Sequence, residues 1–113
     1  MPTLSLRIDL DPEGRIGPGK IALLENIAAC GSISAAARDM AMSYKRAWDL
    51  VEEMNRIFGK PLVAARTGGK RGGGAELTSV GLAVVKRFRA IEEAASSAAA
   101  GHISALQAEI DAA

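Results

Sequence analysis

The stretch Gly31–Arg56, GSISAAARDMAMSYKRAWDLVEEMNR, decides how the rest of the chain is read. It divides into a short Ala-rich segment (Ser34–Met40), a break at Ala41–Met42, and a second segment that begins at Ser43. Ser34 and Ser43 are both N-cap candidates, because a serine hydroxyl can accept from a free N–H at a helix start. Ala35, Ala36 and Ala37 favour a helix and allow close packing. In the second segment Ala47, Val51, Met54 and Phe58 recur at helical intervals, with Leu50 and Ile57 beside them. The opposite face carries Lys45, Asp49, Glu52, Glu53 and Arg56, with the positive charge at its start. A short helix, a tight turn and a basic-tipped second helix form a helix-turn-helix, whose second helix enters a DNA major groove by its first turns. The acids further along would repel phosphates, so only the N-terminal end of helix 43–56 is expected to enter.

Length and composition bound the alternatives. A chain of 113 residues is expected to form one domain, with 49% hydrophobic residues to build a core and few aromatics, so the core is aliphatic. The net charge of +1 does not by itself indicate nucleic acid, but Lys45–Arg71 concentrates Lys45, Arg46, Arg56, Lys60, Arg66, Lys70 and Arg71. The single cysteine, Cys30, excludes an internal disulfide and is read as a small core residue. No run is apolar enough to suggest a transmembrane helix and the N-terminus lacks a signal-peptide layout, so a cytoplasmic protein is expected.

Working outward from the central stretch, Leu4–Leu10 alternates apolar and polar residues as a half-buried strand does, and Asp11-Pro12-Glu13-Gly14 signals a turn. Ile21, Leu24, Ile27 and Ala28 mark the inner face of a first helix from about Pro18 to Cys30, with Gly31 as its C-terminal cap. Beyond the helix-turn-helix, Gly59 and Pro61 stop the second helix. Leu62–Arg66 and Ala75–Thr78 read as paired strands around the basic, glycine-rich segment 67–74, which together make a wing. The segment is not a P-loop: Arg71, not Ser or Thr, follows Gly69-Lys70. Paired cations on a glycine-rich loop suit a DNA backbone or minor groove. Thr78 and Ser79 cap a long last helix. Its stripe Val80, Val84, Phe88, Ile91, Ala95 and Ala98 continues, after a slip around Gly101, with Ile103, Leu106 and Ile110. Past Ala99 a frayed Ala-rich end fits as well. The fold class is therefore mostly α with a small β-wing, a winged helix-turn-helix over 1–90 and a helical dimerisation extension over 79–113. The expected dimer contacts are Val84, Phe88, Ile91, Ala95, Ile103 and Leu106, because the small domain cannot bury the whole stripe.

The runs GSISAAAR (Gly31–Arg38), SYKRAWD (Ser43–Asp49) and GGKRGGGAELT (Gly68–Thr78) resemble the N-terminal winged-helix domain of the ModE-type molybdate-responsive regulators, and more distantly the DNA-binding domain of LysR-type regulators. The similarity spans roughly residues 16–91. It implies a homodimeric DNA-binding transcriptional regulator, not an enzyme, acting on molybdenum-related genes. It carries over Ser43, Tyr44, Lys45 and Arg46 as groove contacts and Lys70 and Arg71 as wing contacts. Lys60 and Arg66 join the wing pair in neutralising phosphates, and Ser34 completes the expected DNA-binding set. Regulators of the ModE type carry a second part that binds molybdate at the dimer interface. Only about two dozen residues follow Arg89 here and that part's oxyanion motif does not occur, so no cofactor, metal or molybdate is expected within these residues. A winged-helix scaffold that binds protein, and a dimer that holds an oxyanion between helices, are the competing functions. His102 is solitary and no catalytic arrangement of side chains is visible. Trp48 is read as a packing anchor with its indole N–H at the rim. Of the adjacent cations, Arg46 is expected to read guanine with its planar fork and Lys45 to take a phosphate.

Overall fold

A computed structural model describes residues 1–66 and 74–112. It opens with a hairpin of β1 (Ile8–Leu10) and β2 (Gly14–Ile16), antiparallel with Ile8 opposite Ile16 and Asp9 opposite Arg15. The alternation over Leu4–Leu10 predicts a longer strand and does not reveal the second one. Pairing stops at Ile8 because its partner strand ends at Ile16: Pro18 opens the next helix, so nothing continues the ladder opposite residues 4–7.

Three helices follow. Helix α1 (Pro18–Cys30) has the predicted bounds, with Pro at its first turn and Gly31 in the left-handed conformation at φ 81° as its cap. Ile21, Leu24 and Ile27 are buried as expected, and so is Leu23, because α1 is touched by other elements on more than one face. Two expectations fail in the last turn, where Ala28 and Cys30 are exposed. Helix α2 (Ile33–Asp39) starts one residue earlier than predicted. Its cap is Ser32, whose Oγ accepts from the Ala35 N–H at 3.0 Å; Ser34 lies inside the helix, exposed. A cap needs extended backbone, and after the Gly31 turn that conformation falls on Ser32. The turn to α3 places Ala41 at φ 54°, a left-handed residue that is not glycine. Helix α3 (Tyr44–Phe58) is capped by Ser43, whose Oγ accepts from the Arg46 N–H at 3.0 Å.

Strands β3 (Val63–Arg66) and β4 (Gly74–Leu77) pair antiparallel, Val63 opposite Leu77 and Arg66 opposite Gly74. These are the predicted wing strands to within one residue at each end. The Ala75 N–H donates to the Gly31 carbonyl at 2.8 Å, which seats the wing base beside the junction of α1 and α2.

Helix α4 (Ser79–Asp111) is continuous through Gly101, without the slip that the apolar spacing suggests and without an early end after Ala99. Thr78 fixes its start: its Oγ1 donates to the Pro61 carbonyl at 2.8 Å and accepts from the Gly81 N–H at 3.1 Å. Gly81 is buried there because a Cβ would stand 2.2 Å from the Leu62 carbonyl oxygen. Arg89 then ties α4 to α1 with a two-pronged bond to Glu25 (2.5 and 3.1 Å) and a third to Glu92 at 2.6 Å, all of which hold its guanidinium pKa above the usual value. The core is aliphatic apart from Phe88: Ile21, Leu23, Leu24, Ile27, Met54 and Leu62 are its largest fully buried members. Phe88 is only 2% exposed, so of the six expected dimer contacts it is the one already covered by its own domain.

Candidate nucleic-acid interface

Successive residues of a helix project about 100° apart, which sorts α3 into faces. Ala47, Val51 and Met54 are buried and define the inner face. Lys45, Asp49, Glu52 and Arg56 lie opposite it. Lys45 is the outermost of the first turn, its side chain 84% exposed and its Nζ 3.0 Å from Asp49 Oδ2. An exposed pair one turn apart is worth only a few tenths of a kcal/mol, so Lys45 is free to exchange its partner for a stronger one.

The two flanks of α3 meet different neighbours. On one side lie Tyr44, Trp48 and Asn55. Asn55 Oδ1 accepts from the Leu62 N–H at 2.9 Å, just ahead of β3, so this flank faces the wing base. Tyr44 and Trp48 are 55% and 45% exposed. Trp48 is therefore not the packing anchor predicted from sequence: its angular position misses the core by about a quarter turn. On the other side lie Arg46, Leu50, Glu53 and Ile57. Glu53 accepts from Lys20 Nζ at 2.8 Å, Ile57 packs against Gly14, and Arg46 and Leu50 border a cleft with Arg7 and Gly17. This flank faces the N-terminal hairpin.

The remaining expected residues are spread around α3. Ser43 caps the helix, with its hydroxyl hydrogen still available to donate. Lys60 is exposed just beyond the α3 cap. Arg66 is exposed at the wing base and its guanidinium lies over Gly31, where an added Cβ would meet its Nη2 at 2.9 Å. Lys70 and Arg71 lie outside the described residues. The first turns of α3 thus bring together Ser43, Tyr44, Lys45 and Trp48 at the front, with Arg46 turned to the hairpin side and Arg66 near the start of α2. Arg7, just ahead of β1, and Arg15 of β2 went unrecognised in the sequence. The signal available was an arginine on each side of the Asp11–Gly14 turn, which becomes informative only once the second strand is known. Among the described residues no three His, Cys, Asp or Glu side chains gather as a metal site, and no helix is long and apolar enough to cross a membrane.

These features define a winged helix-turn-helix whose second motif helix, α3, is exposed and basic at its start. Residues 19–82 match the model of the family described as bacterial regulatory helix-turn-helix protein, lysR family, and the chain belongs to that family. Among curated relatives, the molybdenum-pterin-binding protein MopB of Rhodobacter capsulatus is 50% identical over 78 residues, 69% of this chain and 29% of that protein. The DNA-binding transcriptional dual regulator ModE of Escherichia coli (strain K12) is 48% identical over 71 residues, 63% of this chain and 27% of its own length. The matches thus take in less than a third of either relative. The similarity to ModE-type regulators read from the three sequence runs therefore holds. Among solved structures, the CbnR_DBD–DNA complex superimposes with a TM-score of 0.60 at 23% identity, covering 78% of this chain and 95% of that one, a likeness of fold.

Proposed function

We propose that this chain binds duplex DNA sequence-specifically as a transcriptional regulator, with the first turns of α3 in the major groove and the wing on the backbone. The observation that carries the reading is the geometry of α3 inside a family of regulatory helix-turn-helix proteins. Tyr44, Lys45 and Trp48 are exposed at the helix start, and among the described residues Lys45 has only Asp49 of its own helix as an ion-pair partner, while the other acids lie further along. In this reading Lys45 reaches base edges and Arg46 takes a phosphate, the reverse of the division expected from side-chain chemistry alone. Trp48 and Tyr44 add apolar contact of the kind that suits a thymine methyl. The relatives' names tie them to molybdenum, and regulation of molybdenum-related genes is the corresponding proposal for this chain. A regulator of bacterial genes acts in the cytoplasm, where the DNA lies. Binding-site selection from random duplexes with the purified protein, repeated at low and moderate salt, tests the reading. Enrichment of one sequence motif is expected; retention of DNA without enrichment would reduce the protein to a nonspecific binder.

The same reading includes a homodimer. Ile91, Leu106 and Ile110 on α4 are 45%, 70% and 70% exposed, and Val84, Ala95 and Ile103 continue their row. Beside them an apolar hollow of about 260 Å³ opens between the hairpin and α4, lined by Ile8, Leu10, Phe58, Val84 and Ile91. A second copy would cover this surface and set two recognition helices at a fixed spacing, as half-site recognition requires. Ile91→Asp should release monomers, read by sedimentation at tens of micromolar. A monomeric mass for the unmodified protein under the same conditions would refute the dimer.

A further inference from the structure

The hairpin β1–β2 precedes the matched family region 19–82, and it gathers cations where nothing in the helix-turn-helix demands them. A cleft of about 350 Å³ runs between the hairpin and the first turns of α3, bordered by Arg7, Arg15, Lys20 and Arg46 over an apolar floor of Met42 and Leu50. Two of the four cations are already matched: Arg15 Nε is 2.9 Å from Asp9 Oδ1, and Lys20 Nζ is 2.8 Å from Glu53 Oε1. Arg7 and Arg46 make no ion pair among the described residues. Arg7 is held in place by shape. Its stem lies across Gly17, which is buried beneath it and where an added Cβ would stand 3.0 Å from the Arg7 Cγ.

We propose that this cleft is a second backbone clamp, in which Arg7 and Arg46 hold a phosphodiester of the bound duplex on the side of α3 away from the wing. The inference rests on the DNA-binding reading above. Its geometry follows from the two flanks of α3: Asn55 fixes one to the wing base, while on the other Ile57 packs on Gly14 of the hairpin and Glu53 bonds Lys20 of α1, whose Nζ also donates to the Arg15 carbonyl of β2. A duplex laid on the front of α3 therefore passes the wing on one side and this cleft on the other. The polarity agrees. The hairpin carboxylates Asp11 and Glu13 sit in its turn with Glu53 of α3, whereas Arg7 and Arg46 stand together at the start of the recognition helix. Guanidinium forks match phosphate oxygens.

The test measures binding of a random-sequence duplex by fluorescence anisotropy across a salt series, using the whole chain. Arg7→Gln keeps the stem over Gly17 and removes the charge. It should lower the slope of log affinity against log salt by up to about 0.9, the value for one phosphate contact that Arg46 would still share, on any sequence. Lys86→Ala, which removes an equal charge from the exposed side of α4, should leave the slope unchanged. Asp9→Asn should strengthen binding by freeing Arg15. An unchanged slope in Arg7→Gln, with the unmodified protein still binding DNA, overturns the clamp alone. Failure of the unmodified protein to bind DNA at any salt overturns the DNA-binding reading and the clamp with it. Calorimetric binding of inorganic phosphate that Arg7→Gln abolishes, with the DNA slope unaffected, makes the cleft a free-anion site and overturns the proposal.

Discussion

Phe88→Ala should destabilise the protein by about 3–5 kcal/mol, the range for emptying a buried aromatic site. Phe88 is the one aromatic side chain in the core, 2% exposed, and it stands where α4 crosses the body formed by the other helices. The residues around it come from elements far apart in sequence: Ile16 of the hairpin, Phe58 at the end of α3 and Val84 on α4 itself. An alanine leaves a void that these elements cannot close without moving the hairpin or the helix. A domain of this size has a total stability of about 5–15 kcal/mol, so the loss is a large share of it. Urea unfolding followed by circular dichroism reads the effect directly, with wild type and variant compared at one protein concentration because a dimer's stability depends on it. A loss below about 1 kcal/mol would mean that α4 is anchored elsewhere, by the Arg89–Glu25 bonds and the Thr78–Pro61 contact at its start.

Lys45→Ala should cost about 1–3 kcal/mol on the selected DNA site and much less on random duplex, the signature of a lost base contact. Arg46→Ala should weaken both alike, because its side chain turns toward the hairpin and a phosphate carries no sequence information. Trp48→Ala is the companion test. An exposed side chain contributes little to stability, so thermal unfolding should shift little while binding to the selected site falls. If Arg46 instead controls sequence preference and Lys45 does not, the recognition helix is rotated in the groove by about one residue from the proposed setting. None of these changes removes a capping side chain, and thermal unfolding of each variant separates a folding effect from a binding effect.

Much of this protein was legible without coordinates, and the reason is local. The bounds of α1, the Ser43 and Thr78 caps, the turn at Ala41 and the wing strands all follow from short-range rules: which backbone conformation a residue tolerates, which side chain can accept from a free N–H, and how apolar residues repeat. The family, too, is carried by contiguous runs. Where the local signal misled, as it did in placing the α2 cap at Ser34, the path of the chain out of the Gly31 turn gave the role to Ser32 instead.

What the tertiary structure alone decided is the direction in which side chains face. Trp48 read as an anchor because tryptophan buries well, yet its place on α3 turns it outward. Phe88 read as a dimer contact because it lies in the apolar row of α4, yet the body of the domain claims it. Cys30 ends an apolar run and is nonetheless exposed, since it projects away from the side of the last turn of α1 that buries Ile27. Arg7 and Arg46 are 39 residues apart in the chain and border one cleft because the hairpin sits beside α3, with its Gly14 against Ile57. Sequence periodicity fixes the phase of a helix relative to itself; which neighbour each face meets is set by long-range packing, and the placement of the interface around α3 follows from that packing.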